Sequence, residues 1–290
     1  METVTFTNSM GQSVKFADAP FFIQEVTGLG DVTADIQNVR SAYEDGSNFI
    51  DAILNEREIE LSFLIVADAV AKESYGDISR MREHVATVLN PKLGPGTLKY
   101  ENERVVRLIT CIADGVPQFP DGDGRVEMIQ NASVTFIAHN PYWRSTAIEE
   151  EPAFKPLFQF PFSGPFQMGI QRDERVIEND GNAPAPLLIE FYGPATNPVI
   201  LNRTTNQYIK VNQELLEGER MVIDTNPDNA SVYFVAEDGT KRNVVHWLDL
   251  GSSLSTFRLQ LGENEIAYTA DSDVQGAILN LTWQKLYNAV

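Results

Sequence analysis

The sequence predicts a mainly β protein: an N-terminal barrel- or sandwich-like β domain with one α-helix, then a β-sandwich domain. Three observations carry this. Only one stretch, ESYGDISRMREHVATVL, keeps a helical period with conviction. Apolar and polar residues alternate through most of the rest. In the second half, turn-forming clusters follow one another at short intervals.

The elements follow in order. Strand patterns cover Thr3 to Thr7, Ser13 to Phe16, and Phe21 to Thr27 before Gly28-Leu29-Gly30. DVTADIQNVRSAY then alternates, with Val32, Ala34 and Ile36 on one face, and EDGSN at 44–48 reads as a turn. In EREIELSFLIVAD, Ile59, Leu61, Phe63 and Ile65 alternate with Glu58, Glu60, Ser62 and Leu64, as in a strand with one buried face. Ile78, Met81, Val85, Val88 and Leu89 form an apolar stripe on the helix, and Ser74, Asp77 and Ser79 are the candidate caps. Pro91 disfavours helical backbone at Asn90, and Gly94-Pro95-Gly96 completes the stop. Leu89 and Leu98 are expected to pack the helix exit and the next strand into one core. Two further strands, near 104–113 and 125–138, are joined by GVPQFPDGDGR.

Alternation ends at IAHNPYWRS, and the acidic, proline-bearing EEEPAFKP follows at 149–156. The expected boundary lies between about 140 and 156, giving domains 1–145 and 146–290. Beyond it LLIEFYG, YIKVN, MVIDT, SVYFV, FRLQL, EIAYTA and AILNLTWQKL alternate between NDGNAPAP, GPATNP, EGER, TNPDN, EDGTK, LGSS and LGENE. Short strands at that spacing, with no helical period between them, predict a β-sandwich.

Composition narrows the function. The chain has 290 residues and a net charge of −19, spread as −9 over residues 1–145 and −10 over 146–290. Such an acidic surface lacks the cationic footprint that phosphate recognition needs, so specific nucleic-acid binding is disfavoured. The sole cysteine, Cys111, lies in an apolar strand and reads as a core residue; no internal disulfide is possible. No signal-peptide pattern opens the sequence and no apolar run reaches a membrane span, so a soluble protein made in a cytoplasm, without a membrane partner, is expected.

Candidate chemistry is sparse. Asp121-Gly122-Asp123-Gly124 begins like a calcium loop but lacks the later ligands, and reads as a polar hairpin tip. Gly28-Leu29-Gly30 has no third glycine or following helix, unlike a dinucleotide loop. His84, His139 and His246 stand apart without ligand spacing, and no nucleophile elbow or P-loop occurs. No catalytic, cofactor-binding or metal-binding residue is assigned, and no cofactor is expected.

An ordered set of marks resembles the distal tail (Dit) family of long-tailed phages. In the first half these are Gly28-Leu29-Gly30 with DVTADIQNVRSAYEDGSNFI, the Arg57 strand REIELSF, the helix, and LNPKLGPGTLKYE. In the second they are the stretch from VIENDGNAPAPLLIEFYG to MVIDT, then FRLQLGENEIAYTA and LNLTWQKLY. The resemblance implies a structural virion protein without an active site. Its N-terminal domain would form a homo-hexameric ring at the tail tip, and its C-terminal domain would be a galectin-like β-sandwich. The implied partners are the tail tube protein above and a tail-associated hub or fibre protein below, with receptor-binding proteins possible on the outside. DNA would pass through the ring lumen, where acids would repel it; the EREIE strand is the candidate lining. The alternatives are a carbohydrate-binding β-sandwich used in adhesion and a tail-associated hydrolase.

Overall fold

The structure, a computed structural model, describes residues 2–67, 78–121, 125–126, 129–146, 148–151, 155–156, 170–171, 174–271 and 277–290. The chain forms two compact units: Met1–Thr146 with Tyr287–Val290, and Ala147–Leu286. The last four residues thus group with the first unit, although the sequence reading assigned them to the second.

The first unit opens with β1 (Thr3–Thr7), β2 (Ser13–Phe16), β3 (Phe21–Val26), β4 (Ala34–Val39), β5 (Asn48–Leu54) and β6 (Arg57–Val66). Then come α1 (Ile78–Val88), β7 (Gly96–Glu101), β8 (Val106–Ala113), β9 (Arg125–Val126), β10 (Ile129–Ala138) and β11 (Trp143–Ser145). The main sheet is antiparallel in the order β2-β1-β7-β8-β10-β6-β3. Its two edge strands are consecutive in the chain. Ala17 N–H bonds Phe21 O and Phe21 N–H bonds Asp18 O in the tight turn between them, so the sheet curls towards closure.

Strand β6 buries Arg57, Ile59, Leu61, Phe63 and Ile65 and turns the intervening residues outward, as the period of two requires. Helix α1 covers the sheet where it meets β2 and β6. Its expected stripe is the buried one: Ile78, Met81, Val85, Val88 and the following Leu89 lie in the core with Phe16, Phe21 and Leu98. Each such side chain contributes about 1.5–3 kcal/mol by leaving water. Ser79 is already helical, while the other candidate caps, Ser74 and Asp77, lie outside the described residues. The helix stops as its sequence dictates. Pro91–Leu93 form a 3-10 turn, the Asn90 side chain accepts the Lys92 N–H at 3.0 Å, and Gly94 takes φ +82°.

The second unit holds β12 (Glu149–Glu151), β13 (Lys155–Pro156), β14 (Ile170–Gln171), β15 (Glu174–Asn179), β16 (Ala185–Tyr192), β17 (Ala195–Thr196), β18 (Val199–Asn202) and β19 (Gln207–Lys210). It continues with β20 (Glu214–Leu215), β21 (Arg220–Asp224), β22 (Ser231–Val235), β23 (Lys241–Asn243), β24 (Arg258–Leu259), β25 (Gly262–Thr269) and β26 (Ile278–Trp283). One sheet runs β12-β26-β16-β21-β22-β23, with β24 beside β16, and the other β15-β25-β18-β19. Both feed one core. Ile189, Phe191, Met221, Ile223, Leu279 and Leu281 come from the first sheet, and Ile177, Ile200, Ile209, Ile266 and Tyr268 from the second. Phe191 and Tyr268 meet edge to face, centroids 5.6 Å apart. This is the predicted sandwich.

Buried amides hold its turns. Asn264 Oδ1 accepts the Gln260 N–H at 2.7 Å, while its Nδ2 donates to the carbonyls of Gln260 and Gly262. Asn179 ties the Ala183 and Leu259 carbonyls in the same way. Leaving such groups unpaired in a core would cost roughly 1–3 kcal/mol each.

Candidate assembly surfaces

Strands β4 and β5 pair with each other and form a two-stranded sheet of their own. The sequence reading recognised the first of them and the turn, but did not separate FIDAIL as the returning strand. Every residue of β4 and all but the last of β5 are exposed. Cross-strand partners share a face. The register Ala34↔Leu54, Ile36↔Ala52 and Asn38↔Phe49 therefore gathers an apolar face, and an irregularity beside Gln37 sets Ile50 between the two paired stretches. On that face Ile36 is 60% exposed and Phe49 68%; Ile50 at the irregularity is 59% exposed, and Ile53, on the opposite face across from Asp35, is 51%. A hairpin with these residues in water is marginal by itself, since neither strand has a core to rest on. An exposed apolar surface of this kind marks a contact site.

The hairpin is rooted on well-packed residues. Gly28 precedes it at φ +79°, and Arg57 follows it. The Arg57 guanidinium is buried and donates three bonds to carbonyls: Nε to Pro141 at 2.8 Å, Nη1 to Gly28 at 2.8 Å and Nη2 to Asn288 at 2.5 Å. It also lies 5.8 Å from the centroid of the buried Trp143 ring. Burial lowers its pKa from the ordinary arginine value, and Asp31 partly offsets this. These bonds account for the last four residues joining this unit, together with Arg107 stacked 3.7 Å from the Tyr287 ring centroid.

A second surface is acidic. Glu58 and Glu60 point outward from β6, and Glu25 joins their face through its pairing with Ser62. Asp31, Thr33, Asn55, Glu56, Glu58 and Ile137 line a hollow of about 390 Å³ at the hairpin root. On β10 the neighbours of Glu58 and Glu60 are Ile137 and Thr135, which bring no cation.

The third surface is cationic. Ser13, Val14, Lys15, Asp18, Ala19, Pro20, Phe21, Arg80, Met81 and His84 line a groove of about 490 Å³. Arg80 and His84 stand one turn apart on α1 and are exposed, as is Lys15 on β2. The His84 ring lies nearly parallel to Phe21, 6.4 Å away.

The second unit has a smaller hollow of about 190 Å³ at Gln213, Glu214, Leu216, Glu219, Phe234, Arg242 and Trp247. Sugar rings often stack on an open aromatic face. Here the Arg242 guanidinium sits 5.2 Å from the Trp247 centroid, and Phe234 meets the same indole edge to face. Trp143 and Trp283 are buried. None of the three tryptophans offers a free platform.

The residues weighed for chemistry do not converge. Among the described residues, no group of three or more His, Cys, Asp or Glu side chains is placed to hold a metal. His84 is on the helix surface, His139 pairs with Glu56 at 2.9 Å, and His246 is exposed in a 3-10 turn. Asp121 is exposed, and the rest of its Asp-Gly run, 122–124, lies outside the described residues. Cys111 is buried, and burial pushes its thiol pKa up to about 12. Among the described residues, no helix is long and apolar enough to cross a membrane.

Comparison with known proteins matches this geometry in both halves. Residues 9–138 match the family model described as a phage tail protein RIFT-related domain. Residues 180–287 match that of the siphovirus-type tail component, C-terminal domain. No curated protein matches by sequence. Among solved structures, the chain resembles the Dit protein of phage SPP1, described as a paradigm of the hub adsorption apparatus of phages infecting Gram-positive bacteria. The TM-score is 0.66 and the identity 13%, over 99% of each chain. It also resembles a chain of the phage P2 baseplate in its activated conformation with calcium, at TM-score 0.57 and 12% identity, over 100% of this chain and 99% of that one. The strontium form matches at TM-score 0.54 and 12% identity, over 97% of each. At such identities the likeness establishes the fold.

Proposed function

The chain belongs to the siphovirus-type tail component family, and from that premise we propose that it is the distal hub of a long, non-contractile phage tail. In this reading it is a structural virion protein that assembles as a homo-hexameric ring through its first unit. The ring joins the tail tube protein on one side to the tail-associated hub or fibre protein on the other, and the second unit serves as a platform for receptor-binding proteins. The protein is made in the host cytoplasm, carries out no reaction of its own, and needs no cofactor.

One observation carries the proposal beyond family membership: the β4–β5 hairpin exposes Ile36, Phe49, Ile50 and Ile53 with nothing described covering them. A ring contact is heterologous, one patch meeting a different patch on the next copy, and would cover such an arm six times over. The face of Glu25, Glu58 and Glu60 suits the lumen. Carboxylates there repel phosphates over about a Debye length, so passing DNA does not stick.

The test is imaging by negative stain, with mass photometry across concentration and labelling of virions. Six-fold rings, together with label at the tail tip, are expected. A protein that remains monomeric at its highest soluble concentration and is absent from the tail tip would overturn the reading. The adhesion alternative has no structural support in an open tryptophan, and glycan-array binding by the monomer would be its signature.

A further inference from the structure

The hairpin ends in an unusual tip. Tyr43 stands fully in water at φ +69°, and Glu44, Asp45 and Gly46 (φ +88°) follow. Arg40 Nε donates to the Gly46 carbonyl at 3.3 Å and closes the loop. The tip therefore presents one phenol ring and two carboxylates on an arm.

The cationic groove is its chemical complement. In a chain with 41 acids against 22 bases, it collects Lys15, Arg80 and His84 around a floor of Val14, Phe21 and Met81. Among the described residues its one lining acid is Asp18, with Glu101 within electrostatic reach of Lys15. Neither Lys15 nor Arg80 forms an ion pair among the described residues.

We propose that the Tyr43-Glu44-Asp45 tip of one copy seats in this groove on the next copy, with Tyr43 over Phe21 and Met81 and the carboxylates beside Lys15 and Arg80. The proposal rests on the ring reading above and names its contact. Three physical points support it. Tyrosine is among the residues that most often anchor interfaces, because it brings a large rigid surface with little entropy to lose. Rim charges of opposite sign orient the encounter and reject wrong registers. Tip and groove are different patches of one chain, so their contact is heterologous and propagates around a ring instead of ending at a pair.

Cysteine cross-linking tests the contact directly, because Cys111 is buried and leaves the introduced thiols as the reactive ones. Asp45→Cys with Arg80→Cys, in full-length protein and in assembled tails, should give a ladder reaching six subunits under mild oxidation. Each single variant should give none. Separately, Arg80→Glu should reduce ring population about tenfold at fixed concentration, and adding Asp45→Lys should restore most of it. The charge swap guards against misfolding, since a misfolded variant is not rescued. Rings that form in wild type but neither cross-link nor respond to Arg80→Glu would overturn this contact and leave the hub reading intact. A ladder that stops at two would also overturn it. Absence of rings in solution and of protein at the tail tip would instead remove the hub reading itself.

Discussion

Arg57 Nη1 donates a 2.8 Å hydrogen bond to the Gly28 carbonyl, joining the two residues that flank the exposed hairpin. The guanidinium is 1% exposed, and among the described residues it bonds three carbonyls and lies against the Trp143 ring. The first prediction concerns this residue. Lysine cannot reproduce a planar fork with three directed donors. Arg57→Lys should lose about 2–4 kcal/mol in urea unfolding, because carbonyls are left unpaired in the core.

Gly28 makes a separate prediction. At φ +79° an added Cβ would stand 1.9 Å from the Glu58 carbonyl oxygen, a backbone atom that cannot swing aside. Gly28→Ala should therefore cost about 2 kcal/mol or more, read as a lower urea midpoint, combining backbone strain with displacement of β6. An unchanged midpoint would mean the hairpin root is not where the first unit is tightly built.

Leu98 is 1% exposed and lies in one core with Leu89, also 1% exposed, at the helix exit. Leu98→Ala should cost about 2–5 kcal/mol through lost burial and the cavity left behind. Melting curves of that variant beside Ile36→Ala give the contrast. Ile36 is 60% exposed, so in the isolated monomer its truncation should change stability by less than about 0.5 kcal/mol.

The thiol of Cys111 supplies a pH prediction. Its folded pKa is raised from 9.0 to about 12, so the folded protein holds the proton more tightly than the unfolded chain. Stability linked to this group is complete below pH 9 and is lost as pH rises towards 12, by at most about 1.4 kcal/mol per pH unit. Cys111→Ala should flatten that part of the profile relative to wild type. Thiol reagents should label the native protein slowly and the denatured protein at once.

Ionic strength should act on assembly in two directions. Each copy carries −19, so moderate salt should promote rings by screening long-range repulsion. High salt should then weaken the tip–groove contact, giving a maximum. In Arg80→Glu the descending limb should disappear. Light scattering across salt concentrations reads both limbs.

Much of the fold was legible because its causes are local. The alternation from Glu58 to Ile65 is a period of two, and it fixes which side of β6 is buried wherever the strand lies. The stripe of α1 and its stop at Asn90-Pro91 are likewise properties of neighbouring residues. Turn residues spaced through the second half marked a sandwich for the same reason. The ordered marks that resemble the tail family were in the sequence too, and both family matches fall on them.

Other features depend on distance along the chain. Arg57 gave no sign in sequence of being buried, since its compensation comes from the Gly28, Pro141 and Asn288 carbonyls, up to 231 residues away. FIDAIL does not separate as a strand in the sequence, and only the tertiary structure shows that it pairs with β4 alone and leaves its residues in water. Lys15, Arg80 and His84 look like scattered surface residues until β2 and α1 bring them around one groove. By itself the sequence determined the elements, their buried faces and the family, because periodicity and turn chemistry act over a few residues. Only the tertiary structure decided which surfaces were left without a partner, because that depends on which distant strands cover one another.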